Sequence, residues 1–166
     1  MENQTPGASK YHEGKTPAES AADIIRHVDD GLAIADEHRL PDEIKAFIRT
    51  HHGTTVTGYF WGKHLSSGGS PEDRSHFVYP GPAPTTKEQI ILMLCDSIEA
   101  ASRTLKEYSP QAFDEFVERI VETKTEDGQF DNAEITIKDM GKVKDVLKNY
   151  LSQMYHERIA YPNRKK

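Results

Sequence analysis

Leu40-Pro41-Asp42-Glu43-Ile44-Lys45-Ala46-Phe47-Ile48-Arg49-Thr50-His51-His52-Gly53-Thr54-Thr55 is the stretch from which the fold can be read. Ile44, Phe47 and Ile48 stand at i, i+3 and i+4, the apolar stripe of a helix that packs one face on a core. Pro41 suits the first turn, and Asp42 and Glu43 complement the positive end of the helix dipole. His51 continues the stripe at i+7, His52 lies one turn beyond Ile48, and Gly53 supplies a flexible position where the helix stops. Two adjacent imidazoles therefore sit at the core edge just where a helix ends. One reading is structural: one His caps the helix C-terminus and the other packs as a half-buried aromatic. The other is chemical, because imidazole is the commonest protein metal ligand and is available at neutral pH.

Upstream, residues 1–16 are polar, with Pro6, Gly7 and Gly14, and read as a flexible leader. Pro17 precedes a helical run from Ala18 to Glu37, with Ser20 as a candidate cap and Asp23 three residues on. Ile24, Val28, Gly31, Leu32 and Ala35 trace one face, and His27 lies on or beside it. Gly31 removes a side chain where a second helix or a ligand approaches closely.

Downstream, Thr54-Thr55 is expected to cap a short helix through His64, and Leu65–Pro84 reads as a long loop of Gly, Ser and Pro. Thr85–Leu105 is the most apolar helix, capped by Thr85 or Thr86 with Glu88 or Gln89 as partner. Its continuous run Ile90–Cys95 predicts a central position in the core. Asp96 is then a carboxylate in buried surroundings, which needs a cation: Arg103, seven residues later on the same face, or a metal. Pro110 opens a helix ending near Lys124, and Ile135-Thr136-Ile137 suggests a short extended segment. A last helix runs to about Ile159 with a stripe of Met140, Val143, Leu147, Tyr150, Leu151 and Met154. Residues 163–166 form a solvated tail. With no strand alternation and no internal repeat, the predicted class is all-α, one domain over residues 17–162.

Composition narrows the function. The 166 residues carry 21 basic and 27 acidic side chains, a net charge of -6, which argues against a broad surface for a nucleic-acid polymer. A single cysteine, Cys95, precludes an internal disulfide and fits a reducing compartment. No apolar segment is long enough to span a bilayer, and the N-terminus is not a signal sequence, so the expectation is a soluble intracellular chain.

His27, His51, His52 and Asp96 stand out as possible ligands carried on successive helices, the way helical proteins build interior metal sites. Mixed imidazole and carboxylate ligands suit iron, manganese, cobalt or zinc rather than magnesium or calcium. Spacing alone is weak here, since no short metal signature such as HExxH is present.

His51-His52-Gly53-Thr54-Thr55, Val78-Tyr79-Pro80-Gly81-Pro82 and the run Ile91-Leu92-Met93-Leu94-Cys95-Asp96-Ser97-Ile98-Glu99-Ala100-Ala101-Ser102-Arg103 resemble the HD-domain phosphohydrolases. More narrowly, they resemble the HD domain of seven-transmembrane receptor HD hydrolases, the PgpH-type cyclic di-AMP phosphodiesterases. The resemblance extends to Met1–Gln4, to His27 within Ile24–Val28 and to Met154–Pro162. It implies an HD-domain helical bundle and a two-metal phosphodiesterase that opens a cyclic dinucleotide to its linear form with a metal-activated water. By resemblance, His27, His51 and His52 match ligands of mainly one metal, and Asp96 matches the late aspartate of the other. Thr54, Thr55, Lys63, Tyr79, Gly81, Lys87 and Arg103 are the candidates for substrate contact. The implied cofactor is a divalent transition metal, iron or manganese ahead of zinc, cobalt or nickel, with one or two ions in a complete domain.

One feature of that family is missing. Its name comes from an adjacent His-Asp pair with another His upstream, and no His-Asp dipeptide occurs in the 166 residues. The expectation is therefore an N-terminally incomplete HD domain, the cytoplasmic piece of a membrane-anchored parent, inactive or weakly active as it stands. An incomplete helical core is also expected to expose apolar surface and to favour self-association. Two alternatives remain: a non-catalytic nucleotide-binding or regulatory HD-like module, and a plain helical scaffold with satisfied histidines.

Overall fold

The computed structural model describes residues 11–156 and is all-α, apart from an isolated antiparallel bridge between Val56 and Val78. Its elements are α1 (Pro17–Ile25), α2 (His27–Glu37), α3 (Asp42–Thr50), α4 (Gly58–Ser66), a 3-10 helix (Pro71–Phe77), α5 (Lys87–Ser102), α6 (Pro110–Glu126) and α7 (Ile137–His156). The chain divides into two compact units at the Pro84–Thr85 junction.

In the first unit Thr16, rather than Ser20, caps α1. Its hydroxyl accepts from the Glu19 N–H at 3.2 Å, and the Glu19 carboxylate accepts from the Thr16 N–H at 2.8 Å, a full capping box. The helix expected over 18–37 breaks at Arg26, where the Ile24 carbonyl accepts from Nδ1 of His27 at 2.5 Å. The last residues of the expected leader are engaged: Lys15 pairs with Asp23 at 2.5 Å and stands over the Tyr11 ring. Residues 1–10 lie outside the described residues. Ala21, Ile24, Val28, Phe60, Phe77 and Tyr79 form the buried core, on which α1 packs against α4 and the 3-10 helix.

Gly31 does what the sequence suggests. A Cβ there would lie 3.3 Å from Cγ2 of Ile48, so α2 and α3 meet closely at that point. Lys45 of α3 reaches back to Asp36 at 2.6 Å. α4 starts later than expected, at Gly58, because the Thr55 hydroxyl donates to the His52 carbonyl at 2.7 Å and is not available as a cap. The predicted loop 65–84 is not structureless either, since Ser70 caps the 3-10 helix by accepting from the Glu72 N–H.

In the second unit Thr86 caps α5, and the Thr85 N–H donates to the Gln89 side chain at 2.8 Å. Ile90, Leu94 and Ile98, spaced by four, pack with Phe113, Phe116, Val117 and Val121 of α6 and Leu147, Leu151 and Tyr155 of α7. This corrects the expectation that α5 is buried on all sides: Ile91, Leu92 and Cys95 lie opposite that face and are exposed, and Asp96 is only half-buried. α5 stops at Ser102, whose carbonyl accepts from the Tyr155 hydroxyl at 3.0 Å. Tyr150, placed on the stripe of the last helix by spacing, is exposed.

The extended segment expected at 135–137 is absent. Ile137 opens α7, and the Thr136 hydroxyl oxygen accepts from the Asp139 N–H at 3.0 Å, a Thr-x-x-Asp cap that spacing alone could have revealed. The expected end near Ile159 and the tail lie outside the described residues. No described helix is long and apolar enough to cross a membrane.

Gly31→Val should force α2 from α3 by overpacking against Ile48. The expected loss is about 1–3 kcal/mol in urea unfolding. An unchanged midpoint would show that the contact is slack.

Candidate metal centre

The close contact of Gly31 with Ile48 sets the site, because it lies one helical turn from His27 on α2 and one turn from His51 at the end of α3. It delivers two imidazoles to the same place. His27 is the first residue of α2, and its Nδ1 contacts the Ile24 carbonyl at 2.5 Å. His51 ends α3, and its Nδ1 contacts the Ile48 carbonyl at 2.8 Å. A carbonyl only accepts, so both Nδ1 atoms carry the proton, and in the neutral rings both Nε2 atoms carry a lone pair. Those two Nε2 atoms face each other at 3.1 Å.

Two lone pairs at that distance repel unless they share a proton or a metal ion. Nitrogens bound to one transition metal at about 2.1 Å stand about 3.0 Å apart at a right angle and about 3.4 Å apart at a tetrahedral angle. The observed separation falls between those limits. His52 completes the group, and one nitrogen from each of the three rings lies within 4.8 Å of the others. All three side chains belong to half-buried residues, so the donor set combines partial desolvation with an accessible open side. The backbone carbonyls that fix the two Nδ1–H groups are the outer partners that orient metal-binding imidazoles. The residues present fit a single transition-metal ion.

His52 is held by a second device. Its carbonyl accepts from the Thr55 N–H at 3.2 Å and from the Thr55 hydroxyl at 2.7 Å, across Gly53 in the left-handed region at φ 54°. The Thr55 carbonyl then accepts from the Tyr79 N–H at 2.9 Å, beside the Val56–Val78 bridge. This brings the Tyr79 ring onto His52, with centroids 4.2 Å apart and planes inclined by 23°. A Cβ on Gly81, at φ 81°, would lie 2.9 Å from the Thr54 methyl. The two motifs, His-His-Gly-Thr-Thr and Tyr-Pro-Gly-Pro, are therefore one packed structure.

No family profile matches the chain. The chain is 35% identical over 165 residues to the cyclic-di-AMP phosphodiesterase PgpH of Listeria monocytogenes, covering 99% of this chain and 23% of that protein. It is 32% identical over 162 residues to PgpH of Bacillus subtilis, covering 98% and 22%. The crystal structure of the L. monocytogenes PgpH HD domain in complex with cyclic-di-AMP matches with a TM-score of 0.80 at 35% identity, over 90% of this chain and 70% of that one. The chain belongs to the PgpH-type HD-domain family. It spans less than a quarter of the length of the PgpH proteins.

The PgpH-type family is metal-dependent, and the three-histidine group is the feature of this chain that answers to it. The other candidates fall in different places. Thr55 and Tyr79 are buried, occupied with the His52 carbonyl and the His52 ring. Thr54 and Lys63 are exposed. Asp96 lies in the second unit, on α5. Arg103, a possible partner of Asp96 by sequence, instead pairs with Glu99 one turn back.

Sequence reading missed Lys124. It is half-buried, and that burial pushes its ammonium pKa down, while Asp127 and Asp96 act in the opposite direction. Asp127, three residues on, was visible in the sequence, but the influence of Asp96, 28 positions away on another helix, left no local signal.

Lys87 is also already engaged. Its ammonium donates to Asp139 at 2.8 Å, and that bond, with the Thr136 hydroxyl, holds the Asp139 carboxyl at about 2. Because the folded value is depressed, its contribution to stability is complete above the ordinary value of 3.8 and is lost as pH falls toward 2. Carboxyl NMR titration should find the Asp139 midpoint near 2, and Lys87→Met should raise it toward 3.8. A midpoint of 3.8 in the parent chain would show that the pair does not persist in solution.

Proposed function

We propose that this chain carries one metal-binding half of a cyclic-dinucleotide phosphodiesterase domain and takes a cyclic dinucleotide such as cyclic di-AMP as its ligand. The observation that carries the reading is the pair of facing Nε2 atoms at 3.1 Å, each on a ring whose Nδ1 is committed to a backbone carbonyl. Support for the ligand class comes from the related PgpH HD domain, which was crystallised with cyclic-di-AMP. The ion would be a divalent transition metal, iron or manganese first, which His27, His51 and His52 would hold.

A bound ion of this kind supplies Lewis acidity toward a phosphoryl oxygen and lowers the pKa of a water. The net reaction adds one water across a phosphodiester: a P–O bond breaks, one sugar hydroxyl is released, and a linear dinucleotide ending in a phosphomonoester results. The part of this chain is to hold the imidazoles in one tautomer and to keep the His52 ring seated against Tyr79. With no His-Asp dipeptide to bridge a second ion, turnover by this chain alone is slow. The cytoplasmic face of a membrane-anchored parent is the proposed location.

The missing His-Asp pair also favours a second reading, a module that binds the cyclic dinucleotide without opening it.

Elemental analysis after incubation with manganese or iron(II) should give about one ion per chain. His51→Ala should weaken binding by more than about 100-fold, beyond the effect of losing an outer partner. Chromatography of cyclic di-AMP incubated with the manganese-loaded chain then separates the readings. Slow release of linear dinucleotide supports hydrolysis, and intact retained ligand supports the binding module. A chain that takes up no ion of any kind contradicts the proposal.

A further inference from the structure

We infer that His64, which is not one of the clustered imidazoles, is a positioning residue for them, acting through Asp73 and the segment that ends at Tyr79. The inference rests on the reading of His27, His51 and His52 as metal ligands.

The segment from Ser67 to Tyr79 leaves α4, turns through the 3-10 helix and returns to lay Tyr79 on His52. Surface connections of this composition are ordinarily the mobile parts of a domain, yet here the segment ends on the ring of a candidate ligand. One imidazole restrains it at three points. Nε2 of His64 lies 3.0 Å from the Asp73 carboxylate, which only accepts, so the ring N–H donates. The Gly69 backbone passes against the same ring so closely that a Cβ there would fall 2.2 Å from Nε2. The Phe77 ring packs on it from a third side, at 4.9 Å between centroids, with Trp61 at 5.7 Å. The His64 side chain is only 17% exposed, while its partner Asp73 is 47% exposed, so the ring is shielded and the acid reaches it from the surface.

Phe77 passes the restraint onward. It is fully buried, and its carbonyl accepts from both the N–H and the hydroxyl of Thr57, at 2.7 and 3.0 Å. Two residues later the Tyr79 N–H donates to the Thr55 carbonyl, and the Tyr79 ring covers His52. His64 therefore acts at a distance from the imidazole cluster, by fixing the backbone that presents the Tyr79 ring. Losing a partner that touches a metal ligand directly typically costs about 10–100-fold in affinity, and His64, one step further out, is expected at the low end of that range.

Two variants test this. His64→Phe keeps an aromatic ring between Gly69 and Phe77 but removes the donor. Asp73→Asn keeps the shape of the acceptor and removes its charge. Manganese affinity would be measured for both, with ring-proton NMR shifts of His52, which report the Tyr79 ring current, and amide exchange at Tyr79. Affinity should fall by about tenfold in each variant, the His52 shifts should move, and Tyr79 exchange should accelerate, with circular dichroism unchanged. Affinity within twofold of the parent and unmoved His52 shifts would overturn the inference. A weaker affinity with unmoved His52 shifts would overturn it equally, because the loss would not run through Tyr79. If the parent chain itself bound no metal, the proposed function would fail. The His52 shifts and Tyr79 exchange would still decide the His64 role in the metal-free protein.

Discussion

Two hydrogen bonds govern the site: those from Nδ1 of His27 and Nδ1 of His51 to the Ile24 and Ile48 carbonyls, each three residues back in the chain. Each is local, and each spends the ring proton on backbone. What remains are two lone pairs aimed at each other from different helices. The break at Arg26 belongs to the same arrangement, since the Ile24 carbonyl is the acceptor there. A helix running unbroken through Arg26 would give that carbonyl to the next turn.

Around this pair, the fold supplies distance control. α2 and α3 touch across Gly31, where there is room for no side chain without moving Ile48, and the Lys45–Asp36 ion pair links the same two helices further along. The bridge at Val56 and Val78 does for His52 what the helices do for His27 and His51. It converts two stretches of sequence, separated by α4 and the 3-10 helix, into a single platform with Tyr79 on top.

Much of this was legible from residues. The small residue at Gly31 pointed to the close approach of α2 and α3, but the stripe of α3 is only partly realised. Ile44 is exposed and Phe47 and Ile48 are half-buried, because this helix meets α2 along one edge and contributes nothing to the buried apolar core. Gly53 has the positive φ that its position after the helix requires. The burial of α5 was misjudged because Ile90–Cys95 is apolar on every side, and composition cannot say which face meets α6 and α7. By sequence, Arg103 is a partner for Asp96 and, with Lys87, a candidate for substrate contact. Glu99 at i,i+4 is the nearer acid that helix spacing offers, whereas Asp139, 52 residues from Lys87, leaves no local signal. Tyr79 was recognised within its motif, but its stacking on His52 depends on a pairing between residues 22 positions apart in sequence. No periodicity encodes that.

Nitrogen-15 NMR of the histidine rings in the zinc-saturated chain tests the central claim most directly. Nδ1 of His27 and His51 should each carry a proton, and Nε2 of both should show the shift of a coordinated nitrogen. Protons on Nε2, or Nε2 resonances that zinc leaves unchanged, would contradict the account.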